Sequence, residues 1–140
     1  MSRLSRTMLP ALIFVIAAAG CTASASTPNL PNYVLSAPPT VREAYEYAVA
    51  HPDELAYQPC YCGCNVMGHT SSLHCFVRDI TPDGTIIFDT HALGCGICVD
   101  IARDVMRLRA QGQSPLAVRT YIDAQYGMFG PSTDTPLPEY

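Results

Sequence analysis

The chain of 140 residues contains no lysine and no tryptophan, and only 14% of its residues are charged. Arginine is its only strongly basic residue, and basic residues number 8 against 12 acidic ones. A nucleic-acid-binding domain presents a basic stripe or patch, so this balance argues against nucleic acid as a partner. The hydrophobic content of 49% is, in turn, too high for a disordered chain.

Long apolar segments are also absent, apart from one near the N-terminus. Residues 8–19, MLPALIFVIAAA, are fewer than the roughly 20 apolar residues that a membrane-spanning helix needs. They follow Arg3 and Arg6 and end in small residues before Cys21, which is the pattern of a secretory signal. We therefore predict residues 1–20 to be a signal peptide and the rest of the chain to be exported.

The junction at Cys21 resembles the bacterial lipobox, in which a cysteine directly follows the cleaved signal. The resemblance implies a diacylglycerol on the Cys21 sulfur and a further acyl chain, such as palmitate, on the new N-terminus. Such chains hold a protein on a membrane surface without spanning it. We expect an extracytoplasmic protein that is lipid-anchored to a bacterial membrane. The alternative is an ordinary signal peptide cleaved nearby, which leaves Cys21 as a spare thiol.

Composition divides the rest of the chain into three parts. Residues 21–39 are rich in Ser, Thr, Ala and Pro and are predicted to form a flexible, extended tether. Residues 128–140 contain three prolines and are predicted to be a loose C-terminal tail. The folded domain is therefore expected to comprise residues 40–127, which also hold six of the seven cysteines.

Apolar residues recur with helical spacing in three segments of this domain. The first covers residues 41–50 and follows Thr40, the first residue of a T-x-x-E capping box. The second covers residues 96–110, and the third covers residues 115–126 with Ser114 as its cap. Because only a few residues join the last two segments, they should form an antiparallel αα-hairpin.

Two short β-strands are predicted over residues 76–80 and 85–88, on either side of the turn sequence TPDG. Two strands alone are marginally stable, so the hairpin is a candidate addition to the helices and not the basis of the fold. The sequence thus predicts a mainly α, small three-helix domain with a C-terminal αα-hairpin and a cysteine-rich loop region.

The six cysteines of the domain are Cys60, Cys62, Cys64, Cys75, Cys95 and Cys98. They could form three disulfides and staple a small exported fold. Cysteines two apart are poorly placed to bond each other, because disulfide geometry is narrow. Each cysteine of PCYCGC would then need one of the other three as its partner. A disulfide-bonded scaffold therefore remains one hypothesis, but its three disulfides would all have to form within a short stretch of chain.

Metal binding explains the C-x-C-x-C spacing better. Closely packed thiolates repel each other unless a cation neutralises them, and soft sulfur ligands select Cu(I) or Zn(II). Gly63 is predicted to relax the backbone so that the cysteine side chains can turn inward. Three nearby histidines, His69, His74 and His91, add further ligands. We predict a soft-metal site, most consistent with Cu(I), for metal capture or for delivery to an exported metalloprotein partner.

The third hypothesis is a thiol–disulfide reductant that uses the C-x-x-C pair. Cys95 and Cys98 open a predicted helix, where the positive end of the helix dipole favours a thiolate. This alternative would make the protein an enzyme, whereas the metal hypothesis describes a binding protein without catalytic residues.

The segments PCYCGC, Cys75-Phe76 and GCGIC together resemble the bacterial PCYCGC-motif lipoprotein family over residues 55–126. The resemblance implies an exported, often lipid-anchored protein of unknown function, and it supplies no catalytic residues. The C-x-x-C and the helical hairpin after it, residues 95–127, are also similar to the thioreductase subunit of the cytochrome c maturation system. That similarity implies a small three-helix domain whose C-x-x-C reduces a protein substrate.

Overall fold

A computed structural model describes residues 29–139. The predicted signal peptide at residues 1–20, the predicted lipidation at Cys21 and the first part of the predicted tether lie outside the described residues. The helices are α1 Asn32–Leu35, α2 Pro39–Ala50, α3 Pro52–Ala56, α4 Gly96–Ala110 and α5 Pro115–Tyr126, and the strands are β1 Val77–Ile80 and β2 Ile86–Phe88. Single 3₁₀ turns cover Cys64–Met67, Ser72–Cys75 and His91–Leu93. Among these helices, none combines the length and the apolar character that crossing a membrane requires.

The mainly α prediction is confirmed, and the three predicted helices correspond to α2, α4 and α5. The α5 cap is also confirmed, because the Ser114 hydroxyl accepts a hydrogen bond from the Ala117 amide at 3.2 Å. The predicted capping box at Thr40 is wrong, since α2 starts at Pro39, two residues before the predicted start, and Pro38 occupies the cap position without a side-chain hydrogen bond. Proline suits the first helical position of α2, Pro39, because its fixed φ is already helical and its missing N–H would have no partner there.

The core lies around α4, which packs against α2 on one side and α5 on the other. Ile101 and Val105 of α4 are fully buried, as are Tyr45 of α2 and Ile122 of α5. Burying one such side chain contributes about 1.5–3 kcal/mol, so these contacts fix the position of α4 in the domain. The residues at the start of α4 are therefore held firmly.

The β-hairpin is present, with β1 and β2 antiparallel and a register irregularity between Val77 and Asp79. Its open end lies against the core: Val77 is buried, and the Asp89 amide donates to the Phe76 carbonyl at 2.8 Å. The tyrosine hydroxyl of Tyr45 donates to the Asp89 carbonyl at 2.7 Å. The hairpin thereby brings the residue before β1, Cys75, close to the residues after β2.

The part of the predicted tether that the structure describes is not fully extended. Asn32–Leu35 is a helix, and Leu30 and Val34 are buried in the core. The packed chain therefore begins about ten residues before the predicted boundary at residue 40. The four-residue α1 is too short to produce a periodic apolar pattern, so it could not be predicted from the sequence.

The predicted loose tail lies along the domain in the described part, residues 128–139. Thr133 is buried, and its amide donates to the Cys60 carbonyl at 3.0 Å while its hydroxyl accepts from the Cys60 amide at 2.9 Å. The buried Arg119 of α5 donates to the carbonyls of Thr135 and Pro136. These hydrogen bonds give the segment fixed partners although it has no helix or strand.

Candidate metal centre

The PCYCGC segment leaves α3 as irregular chain and turns sharply at its glycine. Gly63 has φ of 82°, in the left-handed region, and the 3₁₀ turn Cys64–Met67 follows directly. This turn carries the third cysteine sulfur back towards the first two. Cys60 and Cys64 are fully buried as a result, and Cys62 is half-buried. The prediction that Gly63 allows the chain to curl is confirmed.

Alanine at Gly63 is expected to destabilise the metal-free protein by about 1–2 kcal/mol, the cost of a left-handed conformation for a residue with a Cβ. A Cβ at this position would contact nothing within 4 Å, so only the backbone should contribute. Urea unfolding measures the change in the free energy of unfolding.

Gly94→Ala is the matched control, because Gly94 also has open space around it but has φ of −112°. We expect the control to change stability by less than about 0.5 kcal/mol. Equal losses in the two variants would contradict this account of Gly63.

The other three cysteines lie in two further parts of the chain. Cys75 ends the 3₁₀ turn before β1, and this turn is fixed by the Ser72 amide, which donates to the Gln58 carbonyl at 2.7 Å. Cys95 is the residue before α4, and Cys98 lies in its first turn. The packing of α4 and the open end of the hairpin bring all of these sulfurs to the PCYCGC segment.

One group of donor atoms lies at the start of α4. It contains the sulfurs of Cys62, Cys95 and Cys98 and a ring nitrogen of His91, and these atoms all lie within 4.8 Å of one another. The Cys62 sulfur is 3.2 Å from Nε2 of His91 and 3.6 Å from the Cys98 sulfur. The Cys95 and Cys98 sulfurs are 3.1 Å apart. We call these four residues the helix group.

A second group lies beside the hairpin and contains Cys64, His69 and Cys75. The Cys75 sulfur is 3.9 Å from the Cys64 sulfur and 3.6 Å from Nδ1 of His69. We call these three residues the hairpin group. It shares no residue with the helix group, although the rings of His69 and His91 meet edge to face with centroids 5.3 Å apart.

The sulfur of Cys60 lies between the two groups. It is 3.2 Å from the Cys62 sulfur and 3.5 Å from the Cys98 sulfur, both in the helix group. It also lies within 4.8 Å of the sulfurs of Cys64 and Cys75, in the hairpin group. All six cysteine sulfurs therefore belong to one continuous cluster.

The six cysteines of the described chain are free thiols, so the disulfide pairings considered from the sequence do not occur in this structure. Their closest sulfur atoms are 3.1–3.9 Å apart, well beyond the roughly 2.05 Å of a disulfide bond. Two sulfurs bound to one tetrahedral zinc ion, each at about 2.3 Å, lie about 3.8 Å apart. The observed spacings suit shared coordination, and the cluster can hold a metal.

Neighbouring thiols redistribute charge within the cluster. The thiols of Cys75 and Cys98 act on the Cys60 sulfur by hydrogen bonding and lower the pKa of Cys60. The same contacts with Cys60 raise the pKa of Cys75 and of Cys98, while burial is the main cause that raises the pKa of Cys62. In the metal-free protein, negative charge is therefore favoured on Cys60 and disfavoured on Cys62, Cys75 and Cys98.

The surroundings of the His69 imidazole favour the form that binds a metal ion. Burial lowers the pKa of its imidazole, which favours the neutral form that binds metals. With Nδ1 towards Cys75, its Nε2 lies 3.9 Å from the carboxylate of Asp89, which also accepts from the His91 amide at 2.7 Å. At 3.9 Å the Asp89 carboxylate acts on the His69 imidazole through its charge and not through a hydrogen bond.

The structure brings together eight of the nine predicted metal ligands and does not bring in the ninth, His74. Nδ1 of His74 accepts a hydrogen bond from the Thr70 amide at 3.1 Å, and His74 is absent from the close donor groups among the described residues. Asp89 and Thr133 were not predicted. The sequence D-T-H before the cysteine pair could have suggested Asp89, but Thr133 is 73 residues from Cys60 and no local pattern connects them.

Comparison with known proteins gives one family match. The model of a family described as a protein of unknown function with PCYCGC motif matches residues 18–138. No curated protein and no solved structure matches the chain. The similarity to a cytochrome c maturation thioreductase therefore has no support from these comparisons.

Proposed function

We propose that this chain, which belongs to the PCYCGC-motif family of unknown function, binds a soft metal ion. Cu(I) is the favoured ion. The role that we propose is metal capture, or delivery to an exported metalloprotein. We further propose that the protein works outside the cytoplasm, anchored through lipid on Cys21.

The observation that carries this proposal is the convergence of six thiols and two imidazoles in a mostly buried cluster. Burying so many thiolates without a cation would be unfavourable, because like charges repel strongly at low dielectric. Thiolate sulfur is a soft ligand, and soft ligands bind Cu(I) and Zn(II) and discriminate against Mg(II) and Ca(II). The chemistry of the donors thus supports a soft ion.

All-sulfur trios favour Cu(I) over Zn(II). Two of the close donor groups contain only sulfur: Cys60, Cys62 and Cys64 in one, and Cys60, Cys75 and Cys98 in the other. Cu(I) is satisfied by two or three sulfur ligands, whereas structural zinc almost always takes four ligands in a tetrahedron. The exposed thioether of Met67, next to the hairpin group in sequence, is another soft donor at the surface.

A competition titration tests the proposal. The full chain, reduced and kept under anaerobic conditions, is titrated with Cu(I) against the colorimetric chelator bathocuproine disulfonate. We expect the protein to remove Cu(I) from the chelator complex and the number of thiols that react with Ellman's reagent to fall as Cu(I) binds. The matched control is Cys21→Ser, because Cys21 is predicted to carry lipid and should not contribute to binding. Failure to compete, with all six cluster thiols still reactive, would refute metal binding.

One observation favours a second candidate function, thiol–disulfide exchange. The Cys95 and Cys98 sulfurs are 3.1 Å apart at the start of α4, and Cys95 is only partly buried. The pair would give two electrons and two protons to a substrate disulfide, yielding two substrate thiols and a Cys95–Cys98 disulfide. Insulin reduction by the metal-free protein, lost in a Cys95→Ser variant, would favour this function over metal binding.

A further inference from the structure

Eight donor atoms in one cluster are too many for a single ion. A soft metal ion bound by sulfur and imidazole takes between two and four ligands, so one ion would leave at least four of the eight donors unused. Thiols that bind no ion would add nothing to the metal affinity of a buried site. Two of its four close donor groups, the helix group and the hairpin group, have no ligand in common, and each of the other two groups contains Cys60.

We propose, resting on the proposed function, that the cluster is a two-ion centre in which the Cys60 sulfur bridges the ions. One ion is bound by the helix group and the other by the hairpin group. Cys60 then completes the coordination of the hairpin-group ion and also contacts the ion of the helix group.

The helix group has the composition of a complete mononuclear site. It offers three sulfurs and one imidazole nitrogen, a set found in tetrahedral metal sites of proteins. Its four donor atoms lie mutually within 4.8 Å, so one central ion can reach all of them after small side-chain rotations. Cys95 and Cys98 are held by the start of α4, and His91 by the 3₁₀ turn before it.

The hairpin group is one sulfur short of a three-sulfur Cu(I) site. It offers two sulfurs and one nitrogen, from Cys64, Cys75 and His69. The one cysteine sulfur of the cluster that is in neither group is that of Cys60, which is within 4.8 Å of both cysteines of the hairpin group. Cys60 therefore supplies the natural third sulfur.

The position of Cys60 beside the helix group supports its role as a bridge between the two ions. Its sulfur is as close to Cys62 and Cys98 of the helix group as those two are to each other, at 3.2, 3.5 and 3.6 Å. A thiolate has more than one lone pair, so it can bind two soft cations at once. Thr133 bonds both the N–H and the C=O of Cys60, so the main chain that carries this sulfur is held at its position between the two groups.

The number of ions bound at saturation tests the two-ion centre. The full chain is loaded with excess Cu(I), dialysed against a weak chelator, and analysed for copper per protein and by native mass spectrometry. We expect two copper ions per chain. Saturation at one ion, or at three or more, would overturn the proposal. Binding of no ion would instead refute the proposed function, so the two failures are distinguishable.

Variants that remove one group at a time assign the two ions. His91→Ala combined with Cys95→Ser disables the helix group, and His69→Ala combined with Cys64→Ser disables the hairpin group. Each is expected to reduce saturation from two ions to one. His74→Ala is the matched control and should keep two ions, because His74 is in neither group. Two ions retained by either double variant would contradict the assignment.

The wild-type protein provides a test that does not depend on any variant folding. At two-ion loading, copper X-ray absorption should show a copper–copper scattering path in addition to the sulfur and nitrogen paths. Such a path requires the ions to share a ligand or to lie almost in contact. Two ions without this path would overturn the bridging role of Cys60.

Discussion

Removing the metal is expected to lower the melting temperature of the protein by about 15 °C. An ion that binds only the folded state stabilises it by about 4 kcal/mol when its concentration is 1,000 times its Kd. For a domain of this size, about 1 kcal/mol corresponds to roughly 4 °C. The effect is large because the ligands come from four separate parts of the chain, which the ions hold together.

Circular dichroism melting of the copper-loaded protein, with and without a chelator that competes successfully for Cu(I), measures this change. The same chelator added to protein prepared without metal is the control and should not move the transition. If the loaded and stripped proteins melt within about 2 °C of each other, the ions do not stabilise the fold and the cluster is already rigid without them.

Serine at Cys98 is expected to weaken Cu(I) binding by at least about 100-fold, since even the loss of an outer-sphere partner costs 10–100-fold. Cys98 is fully buried, and its sulfur is within 3.6 Å of the sulfurs of Cys60, Cys62 and Cys95. Serine substitutes a hard oxygen that Cu(I) binds poorly. Such a loss corresponds to about 2.8 kcal/mol of binding free energy.

Cys95→Ser is the informative comparison. Cys95 is only partly buried and lies close to Cys98 but belongs to the helix group alone, so its loss should leave the second ion in place. The competition titration with bathocuproine disulfonate gives both affinities. Equal and small losses of Cu(I) affinity in the two variants would contradict a central role of Cys98 in metal binding.

The strongest sequence signals gave the most accurate predictions of the fold. Residues 96–110 have a sustained helical repeat of apolar residues, and α4 has the predicted bounds. Ser114 followed by Pro115 marks the start of α5 because both residues have a direct local effect on helix initiation. The five-residue α3 also has a proline at its first position, Pro52, but it is too short for a periodic apolar pattern and was not predicted.

The residue types that form the cluster were predictable from the sequence, but their arrangement in space was not. Cysteine and histidine identify themselves by their chemistry, and eight of the nine candidates lie in the cluster. The division into two groups depends on where the β-hairpin places Cys75 relative to α4, which no local pattern encodes. The position of His74 outside these groups depends on Thr70, whose amide and hydroxyl both contact Nδ1 of the imidazole.

The C-terminal segment was predicted to be loose because proline and small polar residues seldom form regular structure. Thr133 and Thr135 are nevertheless fixed, by Cys60 and by the Thr70 carbonyl respectively. These contacts connect residues more than 60 positions apart, so they depend on the completed fold.

The contact between Thr133 and Cys60 also determines when the centre can be finished. A chain is synthesised from its N-terminus onwards. The PCYCGC segment is therefore made long before Thr133, and the backbone N–H and C=O of Cys60 gain their partner only when residue 133 has followed. The nascent chain thus presents separate cysteines, and the donor cluster is assembled only in the completed chain.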